Sequence, residues 1–390
     1  MRRLGVRIGS GLSTHPDARA GTLEACAAAR RSLDGDDADL AVVFASGSHL
    51  AAPEATLEAV HDVLEPDALV GCGAGGVLAG GREVENGTAV AVWAAALGEG
   101  AALPFHAEVE EADEGLALTG FPDLEGAAGA ILLPDAFSFP TDGLLRELGD
   151  RAPGVPVLGG ISSARTLDGS SALFDGSELH EGGAVGVRLD GVELLPCVSQ
   201  GAAPLGPEMT ITAAEDHVIH ELAGRPALAR IRDAIEDLSE RERGLIGGGL
   251  LLGIVLDGDK PEYEQGDFLV RGLLGADPET GNVAVGAAVH PGQVVRLHAR
   301  DAASADRDLR DALDLRVRAL GGERPAGALV FSCNGRGRGM FGVPDHDADA
   351  LDRELGGAPA AGFFAAGEIG PVGGESFLHG FTATVAIFPS

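Results

Sequence analysis

The chain has 390 residues, of which 60 are Asp or Glu and 28 are Lys or Arg, so its formal net charge is −32 at pH 7. Binding to nucleic acid or to an anionic membrane needs a basic face, and this charge balance argues against both partners. The chain has no uncharged apolar run of about 18 residues, and its start, "MRRLGVRIGS", lacks the apolar core of a signal peptide. We therefore expect a cytoplasmic protein.

Cysteine and histidine spacing indicates neither a disulfide framework nor a metal site. The four cysteines, Cys26, Cys72, Cys197 and Cys333, lie singly without a CxxC pair, which is typical of reduced thiols. The 11 histidines include no HExxH motif, and the pair in "HVIH" at 217–220 lacks further ligands nearby. We expect no metal and no other cofactor.

The basic residues are all arginine except Lys260. Two explanations of this acidic, lysine-poor composition stay open: a GC-rich genome, or a surface adapted to molar salt, where screening suppresses self-repulsion between charges. Neither explanation identifies a function.

Three segments of the chain share one predicted order of elements. Each has a strand, a glycine-bearing or polar turn, a helix, a strand that ends in a Gly-rich bend, and a returning strand. The segments are 39–97, 127–189 and 326–388. In the first, Pro53 suits the first turn of the helix, and in the second, Thr141 is the predicted helix cap.

The shared order predicts the fold class. A helical crossover, at about 53–65 in the first segment and 344–357 in the third, joins strands that are expected to be parallel. The returning strand adds an antiparallel partner. We predict an α/β protein with two lobes and mixed β-sheets covered by helices, built from related β-α-β-β units.

The middle of the chain follows a different pattern. An amphipathic helix is predicted at 226–244 and ends at Gly244, and a second helix is predicted from Ser304 to about residue 320. Between them lie four β-like runs: "GLLLGIVLDGD", "DFLVRGLLG", "GNVAVGAAV" and "QVVRLHARD".

A Gly/Pro-rich stretch, "SQGAAPLGPEM" at 199–209, separates the second repeated segment from this middle region. Such a composition is typical of a boundary between domains. We predict one lobe at 1–205 and a second at 206–390, with the third repeated segment completing the second lobe.

The ordered motifs of the chain resemble the FIST family, named for F-box and intracellular signal transduction. The motifs are "LVGCGAGGVL", "VLGGISSA", "SQGAAPLGP", "HVIHELAGRPAL", "FSCNGRGRGMFG", "GFFAAGEIGP" and "FLHGFTATVAIF". The resemblance covers about 35–388 and implies a FIST N-like domain at 1–205 and a FIST C-like domain at 206–390. It also implies a sensory protein that binds a small molecule, an amino acid or a derivative, and that has a signalling protein as partner.

The glycines of "GRGRGMFG", Gly335, Gly337 and Gly339, do not form a nucleotide-binding motif. A P-loop needs a Lys followed by Ser or Thr, and a dinucleotide fingerprint needs GxGxxG with a downstream acid. The acids that follow in "VPDHDADALDREL" would repel phosphates. These glycines instead predict a tight bend with positive φ.

Arg336 and Glu368 carry opposite charges at two bends that we expect to lie side by side. An arginine at a strand end can hold a carboxylate with two hydrogen bonds, so Arg336 is a candidate for the ligand carboxylate. Glu368, between glycines after an apolar strand, is a candidate for the ligand ammonium group. The alternative is a salt bridge between Arg336 and Glu368 that only stabilises the two bends.

Other side chains and backbone amides at the equivalent bends complete the predicted ligand site. They can donate or accept hydrogen bonds, or satisfy exposed backbone groups. The predicted residues are Asn334, Cys333, Gly335, Gly337, Gly367, His379, Ser162 and Cys72.

Two other functions compete with ligand sensing. Cys333 and His379 could act as nucleophile and base in an enzyme that cleaves an amide or acyl substrate. A buried structural cysteine is the alternative for Cys333. The third hypothesis is an interaction scaffold for a signalling protein.

Overall fold

The computed structural model describes residues 5–112, 115–256, 258, 263 and 267–390. The chain forms two compact units. The first contains Met1–Val198 and Arg310–Ser390, and the second contains Ser199–Leu309. The predicted division at 205/206 therefore differs from the structure, because the third repeated segment belongs to the same compact unit as the first two.

In chain order, the helices are α1 (Ala18–Ser32), α2 (Pro53–Leu64), α3 (Thr141–Arg151), α4 (Ala227–Glu236), α5 (Glu240–Leu245), α6 (Ala302–Ala319), α7 (Arg338–Phe341) and α8 (His346–Glu354). Short 3-10 helices cover Gly47–Ala51 and Ile246–Gly248. Strands up to residue 199 are β1 (Arg7–Ser13), β2 (Leu40–Ser46), β3 (Ala68–Gly73), β4 (Val77–Ala79), β5 (Arg82–Val84), β6 (Ala89–Ala96), β7 (Ala101–Ala112), β8 (Gly115–Thr119), β9 (Gly129–Pro134), β10 (Val157–Gly160), β11 (Leu173–Asp175), β12 (Glu178–His180), β13 (Ala184–Asp190) and β14 (Leu195–Ser199). The later strands are β15 (Ala202–Glu215), β16 (Val218–Leu222), β17 (Arg225–Pro226), β18 (Leu250–Val255), β19 (Phe268–Ala276), β20 (Val283–Val285), β21 (Val294–Arg300), β22 (Pro325–Cys333), β23 (Ala360–Ala365), β24 (Glu368–Val372), β25 (Glu375–His379) and β26 (Ala383–Pro389).

The three repeated segments fold as the predicted β-α-β-β units. In each, the two strands joined by a helix are parallel: β2 with β3, β9 with β10, and β22 with β23. The returning strands β6, β13 and β26 pair antiparallel with the first strand of their own unit. The prediction of mixed sheets built from related units is confirmed.

Each unit also carries a β-hairpin that joins the sheet of another unit. Hairpin β4–β5 pairs with β23, hairpin β11–β12 pairs with β3, and hairpin β24–β25 pairs with β10. The three sheets therefore contain strands from different segments in a cyclic exchange, with the orders β1-β6-β2-β3-β11-β12, β25-β24-β10-β9-β13-β7-β8 and β14-β26-β22-β23-β4-β5. This exchange explains why the third segment packs with the first two.

A glycine at the same place in each unit supports the repeat. On the second strand of each unit, a Cβ atom at this glycine would overlap the carbonyl oxygen of the residue opposite on the first strand. The distances are 2.1 Å for Gly71 and Val43, 1.9 Å for Gly159 and Leu132, and 1.8 Å for Gly362 and Val330. The close approach of the two parallel strands requires glycine.

We expect Gly362→Ala to lower the free energy of unfolding by about 1–3 kcal/mol or more, because the added methyl group has no space against the backbone of Val330. Chemical denaturation measures this change. Gly143→Ala in α3 is the matched control, because a Cβ atom at Gly143 would meet no heavy atom of a neighbouring element within 4 Å. Helix propensity makes that variant neutral or about 0.5–1 kcal/mol more stable. An equal loss in both variants would contradict the close-approach argument.

The main core lies between the three sheets of the first compact unit. Phe44 of β2 stacks on Phe363 of β23 with ring centroids 4.8 Å apart, and Trp93 of β6 packs on Phe388 of β26 at 5.2 Å. The helices cover the outer faces; Leu57 of α2, for example, is buried in the outer cluster against β2. Burial on both faces explains why the central strands read as continuous apolar runs.

In the second compact unit, Ser199–Leu309, the four predicted β-like runs are strands β18 to β21. They form the sheet β15-β21-β18-β19-β20-β16-β17, and β15 also pairs with β16. The strands therefore close into a ring. Among the described residues, no helix is both long and apolar enough to span a membrane.

Three predicted helix boundaries are wrong. The helix predicted at 226–244 is two helices, because Ser239 and Glu242 form a capping box that starts α5 and leaves Gly244 inside it. Helix α6 begins before Ser304, whose amide donates to Asp301 Oδ2 at 3.0 Å. Thr141 is the first residue of α3 and makes no capping hydrogen bond from its side chain.

Candidate functional site

The carboxyl ends of the second strands of the three units meet at one place. The amide of Ile161, after β10, donates to the carbonyl of Gly367, after β23, at 2.8 Å. The amide of Ser163 donates to the carbonyl of Gly73, at the end of β3, at 3.3 Å. This meeting point lies at the edge where ligands of α/β sheets usually bind.

Asn334 and Gly335 extend this meeting point towards solvent. The amide of Asn334 donates to the carbonyl of Ala365 at 2.9 Å, which places the bend after β22 beside the end of β23. Asn334 and Gly335 are exposed, and so is Gly75 after β3. A Cβ atom at Gly75 would lie 3.8 Å from Asn334 Oδ1, so the two bends are neighbours.

Arg336, predicted to hold the ligand carboxylate or to pair with Glu368, is buried and forms an ion pair with Asp347, while its positive charge also acts to lower the pKa of Glu368. Arg336 Nε donates to Asp347 Oδ2 at 2.7 Å and Nη2 donates to Oδ1 at 2.9 Å. The two side chains are 0% and 1% exposed. Both ends of this bidentate pair are shielded from solvent, so the Arg336 guanidinium is already engaged with a carboxylate of the protein itself.

Further hydrogen bonds hold the Asp347 carboxylate. The hydroxyl of Ser332 donates to Oδ2 at 2.8 Å, and His346 Nδ1 lies 2.9 Å from Oδ1. Burial acts to raise the pKa of Asp347, but the charge of Arg336 and these hydrogen bonds outweigh it and hold the pKa well below its usual range. Asp347 is therefore charged at neutral pH.

Glu368 lies beside Cys333, and both groups are buried. Glu368 Oε2 accepts a hydrogen bond from the amide of Thr382 at 3.0 Å, and the Cys333 thiol is a side-chain hydrogen-bond partner of the same carboxyl group. Burial raises the pKa of Glu368 to about 8. Burial, together with the nearby Glu368 charge, raises the pKa of Cys333 to about 12. Both groups therefore hold their protons near neutral pH.

His379 lies directly opposite Glu368 in the β24–β25 hairpin. Its Nε2 atom is 2.9 Å from the carbonyl oxygen of Gly370, so this ring nitrogen donates to the backbone. The side chain is buried. This arrangement fits a structural imidazole that stabilises the hairpin.

We expect Cys333 to react slowly with iodoacetamide at neutral pH in the native protein, because its thiol is buried and protonated and only the thiolate is nucleophilic. Mass spectrometry of labelled peptides measures the reaction, with the denatured protein as the control for complete labelling. Fast, selective labelling of Cys333 that is lost in His379→Ala would contradict this expectation and favour the enzyme hypothesis.

The bend at Gly337 holds an anion, but the anion is a side chain of the protein. Gly337 has φ +75°, and a Cβ there would lie 2.7 Å from Glu85 Cδ. Glu85 Oε1 accepts a hydrogen bond from the amide of Arg338 at 2.8 Å. Glu85 follows hairpin β4–β5 of the first repeated segment, so this contact ties the first segment to the third.

Glu83 of β5 makes a second contact of this kind. Its Oε1 atom accepts hydrogen bonds from the amides of Asp347 at 2.8 Å and Ala348 at 3.0 Å, in the first turn of α8. A carboxylate at this position complements the positive end of the helix. Burial, together with the nearby charge of Asp347, raises the pKa of Glu83 to about 7 despite these hydrogen bonds.

Cys72 and Ser162 are two further predicted site residues that are buried. Cys72 is buried within β3 as part of the main core, and burial raises the pKa of its thiol. Ser162 is also buried, and its amide donates to the carbonyl of Pro134 at 2.9 Å. Its neighbour Ser163, at the same bend, accepts a hydrogen bond from the amide of Gly75 at 2.9 Å. Ser163 therefore connects the first two repeated segments at the meeting point.

A second buried polar cluster, which was not predicted, lies at the end of β9. Asp135 Oδ2 accepts hydrogen bonds from the amide and the hydroxyl of Ser138 at 2.9 and 2.8 Å, and Oδ1 accepts one from Arg165 Nη2 at 3.0 Å. Burial acts to raise the pKa of Asp135, but hydrogen bonds from Ser171, Ser138 and backbone amides lower it below the ordinary value. The cluster holds the turn after β9.

One missed residue had a sequence signal. Asp347 lies four residues before Leu351 of α8 and eight before Leu355, the residue that follows the helix, and both leucines are buried. This spacing places Asp347 on the buried face of α8. An acid on the buried face of a helix needs a buried cation, and Arg336 is close in sequence. Glu83 and Glu85 gave no such signal, because their partners lie more than 250 residues away in the chain.

The described residues contain no group of three or more His, Cys, Asp or Glu side chains that could hold a metal ion. Comparison with known protein families matches residues 39–225 to the FIST N domain and residues 227–371 to the FIST C domain. The chain belongs to the FIST family. FIST domains are associated with signal transduction and small-ligand sensing.

Relatives of this FIST protein include the uncharacterized protein Rv0628c of Mycobacterium tuberculosis, which is 46% identical over 384 residues, covering 98% of this chain and 100% of the relative. The uncharacterized protein Mb0898c of Mycobacterium bovis is 44% identical over 385 residues, covering 98% of this chain and 99% of the relative. This FIST protein is therefore similar to these relatives over nearly its full length.

Proposed function

We propose that this FIST protein reversibly binds an amino acid or a derivative as the sensory step of signal transduction. The observation that carries the proposal is the meeting of three strand ends beside exposed Asn334. Backbone amides and carbonyls of Gly-rich bends converge there, and small polar ligands are held by a few convergent polar groups of this kind. The membership of the FIST family supports small-ligand sensing in general.

The residues at this edge divide into a surface and a floor. We propose that Asn334 and the backbone of Gly335 contact the ligand, since both are exposed. Exposed Arg338, at the start of α7, is the nearest arginine along the chain that can reach a ligand carboxylate without breaking a buried ion pair. In this proposal Arg336 and Glu368 shape the floor of the site, and neither contacts the ligand directly.

Thermal unfolding in the presence of each L-amino acid tests the proposal. A ligand that binds only the folded state stabilises it by about 2.7 kcal/mol at a concentration of 100 Kd. We expect one or a few L-amino acids to raise the melting temperature, and we expect Asn334→Ala and Arg338→Ala to reduce the rise without lowering the melting temperature of the free protein.

The D-enantiomers are the control for general solute effects, because they have the same charge and size as the L-amino acids. Equal responses to both enantiomers, or an undiminished response in Asn334→Ala and Arg338→Ala, would show that the proposed site is wrong. If no amino acid raises the melting temperature, the proposal that the ligand is an amino acid is wrong.

A further inference from the structure

A separate cavity lies on another face of the first compact unit. It has a volume of about 300 Å³, between the start of α2 and the loop that precedes β11. Its apolar lining includes Leu50, Pro53 and Leu179. This volume is at the lower end of the range for small-molecule sites, about 300–1,000 Å³, and leaves room for an inserted aliphatic side chain. None of the residues of the proposed ligand site lines it.

Two large apolar side chains are exposed here, one in the lining of the cavity and one on the turn whose Asp135 carboxylate accepts a hydrogen bond from Ser171 of the lining. Leu167, which lines the cavity, is 88% exposed, and Phe137 is 83% exposed. Arg165 connects the two positions: it is two residues before Leu167, and its guanidinium carbon lies 4.4 Å from the centroid of the Phe137 ring. Clustered exposed apolar side chains are typical of interaction surfaces.

The charge around the cavity is acidic. Glu54, Asp168 and Glu181 line it and are exposed, and none of the described lining residues is basic. The charge of nearby Arg165 is balanced by buried Asp135, whose carboxylate lies 3.0 Å away. The uncompensated charge therefore attracts a cationic partner.

We propose that this surface docks a short basic segment of a partner protein. We call it the Leu167 surface and define it by Phe137, Leu167 and the cavity with its three acidic side chains. In the proposed complex an aliphatic side chain of the segment fills the cavity, and Lys or Arg residues on either side face the carboxylates. Leu167 and Phe137 cover the segment from solvent, as the residues around a binding hot spot do.

The apolar and the charged features each narrow the choice of partner. An acidic segment would meet like charges around the cavity, and a purely polar basic segment would leave the cavity and both exposed apolar side chains without a contact. A segment that combines Lys or Arg with one Leu, Ile or Met satisfies both features. This proposal does not depend on ligand binding at Asn334.

Fluorescence anisotropy with short labelled peptides tests the proposal. The first peptide carries Lys and Arg around a central Leu, the second replaces that Leu with Ser, and the third replaces the basic residues with Glu. We expect the first peptide to bind at least about tenfold more tightly than either of the others, because it alone combines the anchor with the charges.

Variants of the protein locate the site. Leu167→Ser and the pair Glu54→Gln with Glu181→Gln are each expected to weaken binding of the first peptide about tenfold. The matched control is Glu125→Gln with Glu193→Gln, which removes the same charge at exposed positions elsewhere in the first unit and is expected to change binding by less than about twofold. Thermal unfolding of each variant confirms that it is folded.

Several outcomes would overturn the proposal. Equal weakening in the two Glu pairs would show attraction to the net charge alone. Unchanged binding in Leu167→Ser, or no preference for the peptide with Leu, would show that the cavity takes no anchor. Displacement of the peptide by a simple alkylamine at equal concentration would identify a small-amine site in place of a peptide-docking surface.

Discussion

Replacing Arg336 with alanine is expected to lower the free energy of unfolding by about 3–5 kcal/mol. The variant would leave the Asp347 carboxylate buried without its ion-pair partner, since that side chain is only 1% exposed. The carboxylate must then take up a proton or remain charged in a buried site without a paired arginine, and either costs stability. Urea denaturation at neutral pH measures the loss.

Two further variants distinguish the cost of breaking the buried ion pair from the general cost of replacing an arginine. Arg353→Ala removes an exposed pair with Asp349, four residues earlier on α8, and is expected to cost about 1 kcal/mol or less. Arg336→Met combined with Asp347→Leu removes both charges and is expected to recover part of the loss. A cost for Arg336→Ala as small as that for Arg353→Ala would mean that the buried ion pair contributes little.

Glu368→Gln is expected to flatten the dependence of stability on pH. Burial raises the pKa of Glu368 from 4.5 to about 8, so the folded state keeps a proton that the unfolded state has lost. The contribution of this proton to the free energy of unfolding is complete below about pH 4.5 and is lost as the pH rises to about 8. One retained proton gives a slope of about −1.4 kcal/mol per pH unit in the unfolding free energy, and glutamine has no such proton.

Denaturation of the wild type and the variant at several pH values measures this effect. The difference between the two curves isolates Glu368 from the other acids of this strongly charged chain. Glu83→Gln is the matched comparison: the pKa of Glu83 is raised to about 7, so its difference curve should level off about one pH unit earlier. Parallel curves for wild type and Glu368→Gln would show that Glu368 is charged in the folded protein.

Local patterns in the sequence were sufficient to predict the repeated units. Apolar runs that end in Gly-rich bends, with a helix between them, recur three times, and each β-α-β part is built from neighbouring residues. The Gly-rich bends of these units are also among the motifs that resemble the FIST family. The exact helix ends were predicted less well, because the capping box at Ser239 and the cap at Asp301 compete with more obvious signals nearby.

The sequence by itself determined the fold class, the three related units, the acidic character and the pair of bends at Cys333 and Glu368, because these depend on local spacing and composition. Only the tertiary structure decided which groups meet across the units. Hairpin β4–β5 crosses to the third unit, so Glu83 and Glu85 occupy the amides of α8 and of the Gly337 bend. Arg336 pairs with Asp347 because α8 packs its buried face against the bend, and a buried charge takes the nearest buried partner of opposite sign.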